Sequence, residues 1–358
     1  QFGSAISAQG ADVQVSVGPG GQVSGGLDGI VVSALGARCV QRPPTDGVSE
    51  NPCPNPGADE FYGPVEGIPV GFGGEATVVN DGVISADAGY AVRVANGRLS
   101  LLNNGRIEGA VLSLAGDDLF ENAGVFEVTK DSDFGAGVDL LRNTGVVRFA
   151  EADAPAAVTL RNLDQFENAG LIDLRNSAVG DVLTLPGDFS GTGASTLALD
   201  VDMAAGEADR LVIGGAATGS TLLTLNGDAS TATLTPAEGI VIVETGAGSS
   251  EDAFSLAPGA GDKGFVGYRL SFDSASGQYA LNSAASAAAH RQIGLLQGAE
   301  SGAGFSADLW RSNNAAARDT FFSGGESGRV WAAIQGGETS RDWSSDMADG
   351  QQAALDYQ

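Results

Sequence analysis

Residues 120–126 read Phe-Glu-Asn-Ala-Gly-Val-Phe, and the same pattern returns four more times along the chain. Each copy keeps the asparagine, the glycine two positions later, and apolar residues on both sides. The copies occupy residues 78–84, 101–107, 120–126, 141–147 and 166–172. Their asparagines are spaced by 23, 19, 21 and 25 residues: Asn80, Asn103, Asn122, Asn143 and Asn168. A unit that recurs about every 22 residues predicts a solenoid.

Two apolar columns flank the tripeptide. The position two before each asparagine and the position two after each glycine are apolar in every copy: Val78, Leu101, Phe120, Leu141, Phe166, and Ile84, Ile107, Phe126, Val147, Ile172. The position after the second column is always polar: Ser85, Glu108, Glu127, Arg148 and Asp173. This alternation is typical of strands with one face inward. The sequence therefore predicts an all-β fold, a right-handed parallel β-helix in which each unit is a strand, an Asn-x-Gly corner and a second strand.

The corner residues have a structural interpretation. Glycine permits the positive φ that a tight corner is expected to need, and asparagine tolerates it or bonds nearby backbone. Stacked coils would place the five asparagines one above another, with each side-chain amide bonded to the next. We expect a structural corner ladder here rather than a ligand-binding row.

Composition excludes several classes of protein. The chain has 54 glycines in 358 residues without a Gly-X-Y period, which excludes collagen. Its 42% hydrophobic content is enough to bury a core, unlike that of a disordered acidic tail. There are 18 basic and 45 acidic residues, and a net charge of −27 opposes binding to nucleic-acid phosphates. We expect no nucleic-acid partner.

The two cysteines point to an oxidising compartment. Cys39 and Cys53 lie in a proline-rich stretch, and residues 39–65 interrupt the repeat as an insertion at one corner. We predict a Cys39–Cys53 disulfide, with two unrelated free thiols as the alternative. A zinc pair lacks further ligands, since His290 is the single histidine and is distant in sequence. No apolar run reaches membrane-helix length and no signal segment opens the chain, so we expect a soluble chain, or one whose targeting signal has been removed.

The repeat changes character after residue 195. The region contains Leu-Ala-Leu-Asp-Val-Asp at 197–202, Ala-Asp-Arg-Leu-Val-Ile-Gly-Gly at 208–215, Gly-Ile-Val-Ile-Val-Glu-Thr-Gly at 239–246, Phe-Val-Gly-Tyr-Arg-Leu-Ser-Phe-Asp at 265–273 and Gly-Gln-Tyr-Ala-Leu-Asn at 277–282. This order resembles the C-terminal passenger region of pertactin-like autotransporters. In that family the region caps the β-helix and nucleates its folding during secretion.

Residues 309–319 and 328–337 are similar to the linker helix and the first translocator strand of that family. The resemblance implies four parts: a β-helix passenger at 1–194, a capping (autochaperone) region at 195–283, a short linker helix at 284–323, and an incomplete start of the β-barrel translocator at 324–358. A complete barrel needs about a dozen strands, so we expect a fragment. In some relatives an asparagine pair in the linker helix cleaves its own backbone, which makes Asn313 and Asn314 candidates for self-cleavage.

The sequence offers residues for three kinds of chemistry, and each set also has a structural interpretation. A serine protease needs a histidine base, and His290 lies in the expected helix. A glycan-active enzyme needs paired carboxylates, and Glu108 and Glu127 share a column beside Arg148; we interpret this row as a solvated charge ladder. A calcium site could use oxygen ligands at 200–209, but the glycine spacing of calcium loops is missing, so these acids are expected to be surface carboxylates near a turn: Asp200, Asp202, Glu207 and Asp209. We predict no catalytic residue, cofactor or metal.

The sequence thus predicts a non-catalytic autotransporter passenger, an adhesin or shield on the cell surface or outside the cell, from a Gram-negative outer membrane. Its expected partners are a ligand or glycan on a host or neighbouring cell, with specificity in loops such as 39–65, and the outer membrane through the missing barrel. Two alternatives stay open: a glycan-active β-helix enzyme, and a structural surface-layer or matrix component.

Overall fold

The computed structural model describes residues 3–34, 74–227, 234–264 and 266–322. Within these ranges the chain forms thirty strands, one short 3-10 turn (Glu251–Ala253) and one helix, α1 (Ala287–Phe322). The strands, in chain order, are β1 (Ile6–Gly10), β2 (Val13–Val17), β3 (Gln22–Gly25), β4 (Ile30–Ala34), β5 (Glu75–Asn80), β6 (Val83–Ala86), β7 (Val92–Val94), β8 (Arg98–Asn103), β9 (Arg106–Glu108), β10 (Val111–Ser113), β11 (Leu119–Asn122), β12 (Val125–Val128), β13 (Ser132–Asp133), β14 (Leu140–Asn143), β15 (Val146–Phe149), β16 (Ala157–Arg161), β17 (Gln165–Asn168), β18 (Leu171–Asp173), β19 (Val182–Leu185), β20 (Asp188–Gly191), β21 (Thr196–Asp202), β22 (Glu207–Ala208), β23 (Arg210–Ile213), β24 (Ala217–Gly219), β25 (Thr221–Asn226), β26 (Ile240–Glu244), β27 (Phe254–Leu256), β28 (Asp262–Lys263), β29 (Val266–Asp273) and β30 (Gln278–Ala285).

The strands stack into three long sheets, because successive turns of the chain add one strand to each. The first sheet has the order β1-β4-β7-β10-β13-β16-β19-β23-β26-β30-β29-β28, and the second β2-β5-β8-β11-β14-β17-β20-β24. The third runs β3-β6-β9-β12-β15-β18-β21-β25-β27, with β22 paired beside β21. The stacked strands pair in parallel, and antiparallel pairing is confined to β21–β22 and the β26, β28, β29 and β30 end of the first sheet. The predicted parallel β-helix is confirmed.

Each coil contains three strands, whereas the sequence predicts two around the corner. The Asn-x-Gly corner joins the second sheet to the third, as the predicted strands require. The additional strand lies in the first sheet and is short in the middle of the molecule: β7 and β10 have three residues and β13 has two. Two or three residues are too few to show an alternating pattern in the sequence.

The two predicted apolar columns form the core. Phe120, Phe126 and Phe166 are fully buried, and the remaining members of both columns are 0 or 1% exposed. Burying one such side chain contributes about 1.5–3 kcal/mol, so the core stabilises the stack coil by coil. Phe120 and Phe126 meet edge-to-face across the corner with ring centroids 5.0 Å apart.

The glycine of each corner is required by close approach between coils. A Cβ on Gly124 would lie 2.1 Å from the carbonyl oxygen of Gly105, and one on Gly105 would lie 2.1 Å from that of Gly82. None of the five corner glycines is among the described residues with positive φ. The expectation that these corners need positive φ is therefore wrong, because the glycines are there to let one backbone pass directly over the next.

The end of the β-helix after β25 is closed by a hairpin. Strands β29 and β30 pair antiparallel along their whole length, and β30 also pairs antiparallel with β26. The hairpin places Tyr279, which is fully buried, against Phe254 and Phe272. An antiparallel ribbon over the last parallel strand ends the growth of the stack along the first sheet.

Helix α1 follows the hairpin, spans 36 residues and lies within the segment 284–323 predicted as the linker helix. Ser286 begins it, since its Oγ accepts a hydrogen bond from the N–H of Ala289 at 3.2 Å. Leu295, Leu296 and Trp310 on this helix are exposed. In the described part of the chain no helix combines the length and apolar character needed to cross a membrane.

Candidate functional site

The first candidate is the outward carboxylate row on the third sheet. Strands β9, β12 and β15 bring Glu108, Glu127 and Arg148 into one column in direct register. Arg106 reaches both acids, with Nε 2.6 Å from Glu108 Oε1 and an Nη nitrogen 3.0 Å from Glu127 Oε2. Arg148 adds a further contact of 2.6 Å to Glu127 Oε2. The Glu127 side chain is 13% exposed, so it is enclosed by its two arginines.

This geometry gives an ion ladder rather than a pair of free acids. A glycosidase needs one carboxyl group that can give a proton and a second that faces the same sugar. Here each carboxylate is already held by a guanidinium, and Glu127 by two. The same arrangement is found on the second sheet, where Arg142 lies between Glu121 and Glu167. The row therefore stabilises neighbouring coils and keeps the outer face polar.

The five corner asparagines form a continuous chain of side-chain hydrogen bonds. Each Nδ2 donates to the Oδ1 of the next asparagine at 2.7 or 2.8 Å, in the order Asn80, Asn103, Asn122, Asn143 and Asn168. The first four Nδ2 groups also donate to a backbone carbonyl of the next coil at 3.0–3.2 Å. Asn168 continues the chain to Ser195 Oγ, which pairs with Thr221 Oγ1. All five asparagines are 0 or 1% exposed.

The burial of this corner ladder defines what it can do. Buried amides that find partners each contribute about 0.5–1.5 kcal/mol, and an unpaired one costs about 1–3 kcal/mol. The side chains use their hydrogen-bonding capacity on one another and on the backbone, so they face no ligand. The corner ladder holds the register between coils.

A second ladder was missed by sequence reasoning. Asp118, Asp139 and Asp164 precede successive strands of the second sheet, and we call them the aspartate column. The Leu99 N–H donates to Asp118 Oδ1 at 2.7 Å, the Asp118 N–H to Asp139 Oδ1 at 2.8 Å, and the Asp139 N–H to Asp164 Oδ2 at 2.8 Å. Each carboxylate thus accepts an N–H from the coil before it. A signal was present, since each aspartate stands four positions before a corner asparagine.

Burial shifts the protonation of this column. Loss of solvation raises the pKa of Asp118 to about 7 and that of Asp139 to about 6. The accepted backbone N–H bonds oppose the increase in pKa, and neighbouring carboxylates add to it. Both side chains are nearly inaccessible to solvent, with exposures of 3 and 0%.

Two of the acids at 200–209, Asp200 and Asp209, are buried rather than the surface carboxylates that the sequence predicts, whereas Asp202 and Glu207 are exposed as predicted. Asp209 is fully buried; its Oδ1 accepts the N–H groups of Gly180 and Asp181, and its Oδ2 that of Asp200. Burial raises the pKa of Asp209 to about 6. Asp200 is 4% exposed and accepts the backbone N–H of Asn176 at 3.0 Å. Their partners Asn176, Gly180 and Asp181 lie on the preceding coil, so a local pattern of acids near a turn does not reveal this burial.

The other two acids of this stretch, Asp202 and Glu207, have local roles at a turn. Asp202 accepts the N–H groups of Ala204 and Ala205 at 2.9 Å and so closes the turn before β22, where Glu207 is exposed. Within residues 3–34, 74–227, 234–264 and 266–322, no three His, Cys, Asp or Glu side chains are grouped to hold a metal ion.

The remaining sequence candidates fall in α1 or outside the described residues. His290 lies in the first turns of α1, where its N–H donates to the Ser286 carbonyl at 3.1 Å. Asn313 and Asn314 also lie in α1, and their self-cleavage stays a prediction. Cys39 and Cys53 lie outside the described residues, as do residues 324–358, in which the barrel start was predicted.

A continuous series of contacting aromatic rings, which we call the aromatic file, extends from the C-terminal coils into the hairpin. Its members are Phe166, Phe189, Phe254, Tyr279 and Phe272. Phe166, Phe189 and Phe254 stack on one another with centroids 6.0 and 5.6 Å apart. Tyr279 meets Phe254 edge-on at 5.0 Å and lies 4.5 Å from Phe272. Its hydroxyl donates to the Ser250 carbonyl, and burial raises the pKa of the phenol to about 12. The hairpin is thereby joined to the last coil by the contact between the Tyr279 and Phe254 rings and by this hydrogen bond.

Residues 187–283, which contain this aromatic file from Phe189 onward, match the family model described as Pertactin. A search of curated protein sequences found no match. The matched segment is the closed end of a parallel β-helix, so the fold and the family match agree on a pertactin-like passenger.

Proposed function

We propose that this pertactin-like passenger is displayed on, or released from, a Gram-negative outer membrane and acts there as a non-catalytic adhesin or shield. The observation that supports the proposal most strongly is the Pertactin match at residues 187–283, located at the capped end of the coils. The outward acids of the third sheet are engaged with arginines, which favours a binding or covering role over catalysis. The partner we propose is a ligand or glycan on a host or neighbouring cell.

The geometry suits a spacer that carries contact loops away from a surface. Nine coils stacked at about 4.8 Å per strand give a rod of about 40 Å. Parallel pairing along three sheets makes the rod stiff, and its net charge of −27 keeps it soluble. The predicted contact loop is the inserted segment 39–65, with Cys39 and Cys53 as its proposed clasp.

We also propose that residues 195–283 act as the folding start of the passenger. Each coil buries its inner face only against its neighbours, so the first coil to fold needs a partner that is already closed. The aromatic file and the β29–β30 hairpin supply such a closed end. Further coils would then add one at a time, and folding outside the cell would oppose return through the membrane.

A binding assay tests the adhesin proposal. Beads coated with the full chain are incubated with epithelial cells and with bacteria of another species, and retained beads are counted against beads coated with bovine serum albumin. We expect retention at least severalfold above the control for one of the two cell types, and competition by the soluble chain. Retention equal to the control on both would contradict adhesion.

The enzyme alternative is tested on the same protein. Glu108→Gln and Glu127→Gln together remove the only outward acid pair that the sequence offered as a catalytic candidate. The expected result is no depolymerisation of acidic or neutral polysaccharides by either form, and unchanged bead retention. Turnover by the parent chain that disappears in the double variant would show an enzyme. Electron micrographs with filaments or lattices of the purified chain would instead favour a matrix component.

A further inference from the structure

We propose that the aspartate column is an acid-responsive lock, in which protonation of Asp118 and Asp139 tightens the contact between successive coils. The device lies inside the β-helix at the corner that leads into the second sheet, away from the outward face. The aspartate column would act on the stability of the β-helix and not on ligand binding.

The geometry that supports this proposal is a half-satisfied carboxylate on consecutive coils. In Asp118 and Asp139 one oxygen accepts a backbone N–H at 2.7–2.8 Å, while Oδ2 is buried without a hydrogen-bond partner. An ionised oxygen buried without a partner or counterion is costly, because it has lost its water. A protonated oxygen at the same position carries no net charge and costs much less.

The charged groups around the pair do not neutralise it. Asp118 is influenced by Asp139 and Asp117, and Asp139 by Asp164, Asp117 and Asp133, all of them carboxylates. The nearby cation on β8 is Arg98, which is directed to Glu75 at 2.9 Å. The Ser113 hydroxyl at the end of β10 is neutral, and its interaction with Asp118 lowers the pKa of that carboxyl by less than burial raises it. Because these acids stack without a basic partner, the protonated form of both Asp118 and Asp139 is favoured.

A second corner repeats the arrangement. Ahead of the first-sheet strands β16, β19 and β23, the Ala156 N–H donates to Asp181 Oδ1 at 2.5 Å and the Asp181 N–H to Asp209 Oδ1 at 3.0 Å. Asp181 also has a buried Oδ2 without a hydrogen-bond partner. Two corners of the β-helix, on different coils, therefore keep carboxyl groups in the condition that protonation would relieve.

The direction of the effect follows from proton uptake. The pKa of Asp118 is about 7 in the folded chain, whereas an unfolded aspartate titrates near ~3.9. Between these values the folded state binds more protons than the unfolded state, so stability falls as the pH rises. The contribution is complete below about pH 4 and is lost by the time the pH has passed about 7.

The test compares urea unfolding of the full chain at pH 5 and pH 8, in 0.5 M salt. Salt at this level screens repulsion among exposed acids, which would otherwise give a trend of the same sign. We expect the unfolding equilibrium constant to be at least ~10-fold larger at pH 8 than at pH 5. In the Asp118→Asn, Asp139→Asn double variant, whose amides imitate the protonated acid, we expect that ratio to shrink by at least half.

Asp12→Asn is the matched control, because Asp12 also accepts a backbone N–H, from Glu75 at 3.0 Å, but is exposed. Its pH ratio should equal that of the parent chain. An independent readout on the parent chain is the infrared carbonyl band of protonated carboxyl groups, which should persist at pH 6 in the folded state and vanish on unfolding. Equal stability at pH 5 and pH 8, an unchanged ratio in the double variant, or absence of that band at pH 6 would overturn the proposal.

Discussion

The coils between residues 74 and 195 and the capping end after residue 195 solve the same problem differently. Each middle coil repeats the Asn-x-Gly corner and is held by identical contacts above and below it. At the end the asparagine chain changes to Ser195 and Thr221, and no further corner asparagine follows in the described residues. The aromatic file and the antiparallel hairpin take over.

This difference shows why a solenoid needs an end unlike its middle. A repeated coil always leaves one open face and three unpaired strand edges for the next coil. The hairpin covers the first-sheet edge with a strand of opposite direction, on which a further parallel coil has no template. The identical contacts between the middle coils fix the register of one coil on the next. The contacts found only at the capping end would provide the proposed starting point for folding.

The largest effect is expected from removing the hairpin. Deletion of residues 266–285 uncovers β26 and the buried face beneath Tyr279, and we expect loss of cooperative unfolding in circular dichroism and fluorescence. A chain that stops after Ser286 is the control, since it lacks α1 and retains the closed end. Cooperative refolding of the hairpin deletion at the parent rate would contradict the starting role of this region.

The next effect concerns the close approach of coils at the corner. Gly124→Ala places a methyl group 2.1 Å from the Gly105 carbonyl oxygen, and backbone is not free to move away. We expect a loss of about 3 kcal/mol or more in the free energy of unfolding. Gly18→Ala, where the added group meets nothing within 4 Å, should change it by less than about 0.5 kcal/mol. Equal denaturation midpoints for the two variants would show that the corner can open.

The smallest of the three effects is expected from the corner ladder. Asn122→Ala leaves the Asn103 amide and the Asn143 carbonyl oxygen each short of a partner, which should cost about 2–3 kcal/mol. The control is Asn104→Ala, since this exposed side chain donates only to Asp81 across the surface. Chemical denaturation measures the loss in the free energy of unfolding for each variant, provided that its slope against denaturant concentration is unchanged. A larger loss for Asn104→Ala than for Asn122→Ala would contradict the role of the corner ladder in holding the register.

The sequence predicts those parts of the fold whose residue pattern recurs in every repeat. The corner tripeptide and the alternation around it form a pattern that is visible within a single repeat, so the sequence predicts Phe120 and Phe126 to face inward, and both are buried. The first-sheet strands β10 and β13 were not predicted, because they are only three and two residues long. Their positions depend on contacts with neighbouring coils rather than on local pattern.

The ion pairs and the aspartate column are features that the sequence does not predict. Glu108 and Glu127 could be placed in one column, but the reach of Arg106 to both acids depends on side-chain direction across coils. Asp118 and Asp139 are not among the predicted site residues, because their burial depends on the packing between coils. Each of these aspartates stands four residues before a corner asparagine, which is visible in the sequence. The hydrogen bonds that this spacing allows form only between stacked coils.

The corner ladder also determines where the chain can change in length. The interval between successive asparagines varies from 19 to 25 residues, yet the tripeptide itself never lengthens. The variation lies in the first-sheet strands and in the corners on either side of them, and residues 35–73 fall in sequence between β4 and β5. One edge of the rod is therefore a fixed spine, and the two opposite edges are open to insertion, so new loops can be added there without moving the core.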